Sequence, residues 1–256
     1  METEPDPDLV FAVSILVDAV LFLPVIVLGW WLWRVLRATS LLFSGDYAAA
    51  RPLWEKYIGS RLWGMDASAR YNVAYCLHHE GKLEEALTAL RDLEARHPRG
   101  VIAGIRDTLL GSTLLLLDRD HAEASARMER GDIVFPNRHS WLFRAHAALS
   151  LGDEARAADL VRTALTMPEP PSFKLGVVSA RVDRTLQGAV GAYLLGWYHE
   201  RLGDTASARS AYESAAATPR ESIYVRRARE ALERMGRARV EESDEGPSSL
   251  SPLALP

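Results

Sequence analysis

The sequence predicts an all-α chain: an N-terminal transmembrane helix, then a helix–turn–helix solenoid of about five repeats with a C-terminal capping helix. Three observations carry this. One apolar stretch is long enough to cross a bilayer. Elsewhere the apolar residues recur at three- and four-residue spacing, with no sustained alternation. Short turns centred on Gly or a close relative return at intervals mostly in the thirties.

Residues 1–8 form an acidic tail with Glu2, Glu4, Asp6 and Asp8 and no Lys or Arg. Residues 9–33 follow, and 21 of these 25 are apolar, the exceptions being Ser14, Asp18, Pro24 and Gly29. As a helix this run spans about 37 Å, longer than the hydrocarbon core of a bilayer, so a tilted or kinked crossing fits. A cleaved signal peptide would need a basic start and a small-residue cleavage site, and neither is present. Arg34 and Arg37 lie directly after the run. The positive-inside rule then puts the N-terminus outside and the rest of the chain in the cytoplasm. Ser14, Asp18, Val25 and Gly29 share one helical face, and Asp18 sits near mid-span, where an ionisable group marks a candidate contact with a partner helix.

The segment 34–222 carries the repeats. The turns centre near residues 45, 81, 119, 152 and 203, at spacings of 36, 38, 33 and 51. A small residue follows each turn by about five positions: Ala50, Ala86, Ala124, Ala157 and Ala208. Small residues let paired helices approach, and Gly supplies the left-handed turn between them. One such pair cannot bury its apolar face alone, so the pairs must stack.

The unit Ala69–Pro98 carries Tyr71, Val73 with Ala74, Leu77, Gly81, Ala86, Leu90, Leu93 and Pro98. That pattern resembles the tetratricopeptide repeat. The units at Trp141 and at Leu195-Gly196 match similarly, closing at Pro168 and Pro219. The unit at 105–136 is degenerate, with Arg119 in place of the turn Gly. The last spacing is long, leaving an insertion at 168–188 that is either a projecting loop or an extended first helix. Residues 223–239 form the capping helix, with Tyr224, Ala228, Leu232 and Met235 on one face. Residues 240–256, acidic and then rich in Ser and Pro, are expected to be disordered.

The resemblance implies function as well as fold. Arrays of this family bind peptides or helices in the concave groove lined by their first helices. The matching positions here are Tyr71, Asn72, Tyr75, His78, His79, Leu109, Thr113, Leu142, His146, Tyr193, Trp197 and Arg201. The lining is aromatic and apolar, and lacks the family's basic clamp for acidic C-termini. It therefore implies a helix or an apolar peptide as ligand.

Enzyme chemistry finds no support. There is no phosphate-cradling Gly loop, no G-x-S-x-G elbow and no H-E-x-x-H pair. His78 and His79 are adjacent on a helix and point about 100° apart, so they do not chelate one ion. The single cysteine, Cys76, excludes an internal disulfide and a cysteine-only metal site. No catalytic residue, metal or cofactor is expected. A net charge of −4 gives no electrostatic case for nucleic acid.

The expected partners are therefore proteins, together with the lipid bilayer through residues 9–33. The expected role is a membrane-anchored interaction scaffold or adaptor. The alternative is an obligate structural or assembly subunit of a multiprotein membrane complex, held partly through its transmembrane helix. Arginine outnumbers lysine 27 to 3, a bias of GC-rich bacterial genomes, so the expected location is a bacterial inner membrane.

Overall fold

A computed structural model describes residues 27–61, 64–132, 138–167 and 184–244. Among these residues every regular element is a helix. Residues 27–43 form α1 and Tyr47–Glu55 form α2. Met65–Glu80 (α3) pairs with Leu83–Arg96 (α4), and Val101–Leu116 (α5) with His121–Asp132 (α6). Arg138–Ser150 (α7) pairs with Glu154–Thr166 (α8), and Arg184–Arg201 (α9) with Thr205–Ala216 (α10). Ile223–Asp244 (α11) ends the described chain. The fold is an all-α helical-repeat array resembling a tetratricopeptide solenoid.

Local chemistry explains the turns. Gly45, Gly81, Gly152 and Gly203 all take the left-handed conformation, with φ between +76° and +83°. The Asp that follows three of these glycines then caps the next helix. Asp46 accepts from the Ala49 amide, Asp153 from Arg156 and Asp204 from Ser207. The degenerate third turn solves the same problem differently. Arg119 does not take the glycine's role, and Asp118 and Asp120 carry positive φ instead, at 55° and 38°. A short polar side chain tolerates that region better than arginine does. Asp120 still caps, accepting from the Glu123 amide.

Small residues set the spacing within pairs. Ala50, Ala86, Ala124, Ala157 and Ala208 are all fully buried. Gly111 and Gly196 press even closer. A methyl on Gly196 would lie 2.6 Å from the Tyr212 ring, and one on Gly111 would lie 2.8 Å from the Ala124 carbonyl oxygen.

A charged seam joins α4, α5 and α6. Asp107 accepts from Arg106, Arg127 and Arg130, at 2.9, 3.1 and 3.0 Å. Arg127 also pairs with Glu94. Burial would raise the Asp107 pKa, but the surrounding guanidinium groups outweigh it and hold the carboxyl below the usual range.

The array does not stay open. Successive first helices α3, α5, α7, α9 and α11 pack side by side, and α11 then meets α3 again. The concave face is thereby closed around its own aromatic side chains.

Several expectations are adjusted. The capping helix runs to Asp244 rather than ending at 239, because no Gly or Pro follows Gly236 until Gly246. Residues 168–183 of the insertion lie outside the described residues, while residues 184–188 belong to α9. Of the expected membrane span, residues 9–26 also lie outside them, with Ser14, Asp18 and Val25. Gly29 is exposed on α1. No helix among the described residues is long and apolar enough to cross a membrane. α1 passes without a break over the expected boundary between residues 33 and 34.

Candidate functional site

Most of the expected groove residues lie inside the closed array. His78, His79, Leu109, Thr113, Leu142, His146 and Tyr193 are buried. Tyr71, Asn72, Tyr75 and Trp197 are half-buried, and only Arg201 is exposed. An open groove along the full row is therefore corrected to a filled one, and α11 fills it.

Tyr224 is the residue at its centre. It is 2% exposed and lies among His78, His79, Phe143 and Tyr193. Its hydroxyl lies 2.6 Å from Nε2 of His78, whose Nδ1 lies 2.9 Å from the Thr113 hydroxyl oxygen. Thr113 donates its own proton to the Leu109 carbonyl at 2.7 Å. The tautomer follows from the network. Thr113 accepts from Nδ1–H of His78, so Nε2 is the acceptor and the Tyr224 hydroxyl donates to it. Burial, aided by the Arg227 charge, pushes the His78 pKa down to about 3 and keeps the ring neutral.

Two arginines of α11 hold the ends of neighbouring helices. Arg226 donates to the Glu80 carbonyl at 2.6 Å, and Arg227 to the Leu116 carbonyl at 2.7 Å. Each places a cation at the C-terminal end of α3 or α5, where the helix dipole favours positive charge.

The other two histidines of the expected groove, His146 and His79, are also packed into the interior. His146 donates from Nε2 to the Leu194 carbonyl at 2.8 Å and stacks on Trp197 at 3.8 Å between centroids. Burial pushes its pKa down to about 3. His79 stacks on Tyr47 at 4.5 Å. Its ring thus bridges Tyr47 of α2 to Tyr224, which it meets edge-on at 5.6 Å. Among the described residues no group of three or more His, Cys, Asp or Glu could hold a metal ion. Cys76 is buried, and its thiol is pushed up to about 12 by that burial, so it is no thiolate nucleophile.

One end of the concave side remains open. A cleft of about 510 Å³ lies between the C-terminal ends of α5 and α9 and the middle of α11. Its walls include Tyr193, Trp197, Arg201, Tyr212, Arg227 and Arg234, with Asp118, Glu200 and Glu230. Glu200 accepts from the Tyr212 hydroxyl at 2.5 Å and from Arg234 at 3.3 Å, so part of its charge is used internally. The cleft combines an aromatic floor with both signs of charge. Among the described residues that line it, no nucleophile is paired with a base.

The structure thus brings three expected residues, Tyr193, Trp197 and Arg201, to one open site. It adds Arg227, Glu230 and Arg234, which the sequence reading left on the capping helix. The available signal was the excess of seven Arg over three Glu in residues 220–239.

The architecture defines an all-α helical-repeat fold, and the cleft is its open site. Residues 35–101, from the second half of α1 through α4, match the tetratricopeptide repeat family model. The crystal structure of MamA aligns at a TM-score of 0.42 and 12% identity, covering 71% of this chain and 93% of that one. No curated protein matches the chain.

Proposed function

We infer that the protein is a membrane-anchored interaction scaffold that takes a segment of a partner protein into the cleft beside Trp197 and Arg201. The observation that carries the reading is that cleft, about 510 Å³ in volume and built on aromatic rings with arginines at its rim. Aromatic and arginine side chains are the usual anchors of protein interfaces. A partner segment suited to it offers one apolar side chain for the Trp197 face and charged groups for the rim. The filled interior leaves no room for a helix lying along the whole array.

The anchoring half of the proposal rests on residues 9–33 and on α1, which carries the exposed apolar residues Val27, Leu28, Trp30, Leu32 and Trp33 straight into the array. The array then faces the cytoplasm of a bacterial cell by the positive-inside rule. Crosslinking and pull-down from native membranes tests the binding half. A Trp197→Ala, Arg201→Glu double variant is expected to lose the partners that the parent chain captures, and unchanged capture would refute the cleft. Reporter fusions at residue 2 and after residue 256 test the topology. Periplasmic activity of the second fusion would reverse the assignment.

A further inference from the structure

The loop after α2 sits beside the residues where α1 would leave the membrane. Trp31 of α1 meets Tyr57 edge-on, with ring centroids 6.3 Å apart. Trp31 precedes Arg34, the first cation after the apolar run, by three residues. At the helical rise that is about 4.5 Å toward the bilayer. Tyr57 thus packs on the residue one turn before the first cation, on its bilayer side. Its neighbour Ile58 is 38% exposed, and Lys56 and Arg61 are exposed at either end of the loop.

The loop is held in that place. The Tyr57 amide donates to Trp54 and the Ile58 amide to Glu55, at 2.9 and 3.2 Å. Gly59, at φ +80°, turns its amide onto Asp66, 2.5 Å away. Asp66 is gripped from the other side by Arg70 and His97, at 3.0 and 2.9 Å. The cations of α1 add to the surface: the Arg34 guanidinium lies 4.5 Å over the Trp30 ring and that of Arg37 lies 5.6 Å over Trp33. Aromatic rings and an aliphatic side chain flanked by cations are what an anionic bilayer surface takes up.

We propose that the Lys56–Arg61 loop is a second membrane contact, seating Tyr57 and Ile58 among the headgroups while Lys56 and Arg61 pair with phosphates of anionic lipid. This rests on the anchored reading of residues 9–33. With α1 and the loop both engaged, the array is held against the surface at two points.

The test uses the full chain in nanodiscs of phosphatidylcholine, alone or mixed with phosphatidylglycerol. An environment-sensitive fluorophore is attached at Ile58→Cys, with Ser214→Cys on α10 as the distant control. The label at 58 is expected to be quenched by spin-labelled lipid tails in the mixed discs and the label at 214 not. Lys56→Glu with Arg61→Glu is expected to weaken the loop contact about thirtyfold, on the scale of two juxtamembrane cations. Unchanged helical circular dichroism shows that this variant still folds. A label at 58 that stays in water, in a chain that resists alkaline carbonate extraction, overturns the loop contact and leaves the anchor standing. Quenching that is equal in neutral and mixed lipid overturns the role of anionic lipid. A chain released by carbonate overturns the anchor itself.

Discussion

The Tyr224 hydroxyl donates to Nε2 of His78 at 2.6 Å, joining two residues separated by 146 positions of chain. Among the described residues, no other hydrogen bond between two side chains links α11 to α3. Tyr224→Phe removes the donor and leaves a buried imidazole nitrogen without its partner. The expected loss is about 1–3 kcal/mol in urea unfolding. Faster hydrogen exchange in α11 than in α4 would localise the effect to the closure.

Acid is expected to loosen the same region. His78 and His146 are held neutral in the folded array, each with its pKa pushed down to about 3 by burial. In the unfolded chain each titrates near 6.5, so between these values the unfolded state binds more protons. The stability contributed by the neutral rings is complete above pH 6.5 and is lost as pH falls toward 3. The slope is about 1.4 kcal/mol per pH unit for each histidine. Denaturant midpoints measured from pH 7.5 down to 5 check it, and a flat profile would contradict the burial argument.

Two glycines of α9 separate close approach from simple helix propensity. Gly196→Ala drives a methyl into the Tyr212 ring, 2.6 Å away, and is expected to cost about 1–3 kcal/mol. Gly188→Ala meets nothing within 4 Å and is expected to be neutral or to stabilise by up to about 1 kcal/mol. Thermal unfolding of the two variants should move in opposite directions or, at the least, differ in size.

The charged seam is expected to fail asymmetrically. Asp107→Ala takes from Arg106, whose side chain is 4% exposed, its nearest carboxylate, leaving it Glu94 at 3.6 Å and the His97 carbonyl at 3.0 Å, and is expected to cost about 1–3 kcal/mol. Arg130→Ala removes a half-exposed partner of the same carboxylate and is expected to cost under about 1 kcal/mol. Equilibrium unfolding of both variants at neutral pH measures the difference.

What the sequence disclosed was local. A glycine followed by aspartate states a left-handed turn and the cap of the next helix within two residues, and Asp46, Asp153 and Asp204 behave accordingly. The buried alanines were legible for the same reason, since their offset from each turn is fixed by helix geometry. The closed interior was not legible. Whether α11 meets α3 depends on a small rotation between neighbouring pairs, summed over the array, and no single residue encodes that sum. His78 and His146 accordingly read as groove residues when they are core residues. The cleft was half visible, because Trp197 and Arg201 belong to a recognisable repeat while Arg227 and Arg234 reach it only through the curvature. The loop at Lys56–Arg61 gave no signal, since its place beside Trp31 is a matter of tertiary packing.

The bond between Tyr224 and His78 also bears on the order in which the molecule is made. Most repeat arrays can fold progressively, each pair resting on the one before it. Here the ring of first helices lacks its last member until residue 224 has left the ribosome, long after residue 78 has done so. A nascent chain that stops short of α11 is expected to leave His78, Phe143 and Tyr193 uncovered on the face where Tyr224 later packs. That nascent face is the one a chaperone or an assembly factor would meet, and it vanishes when α11 arrives.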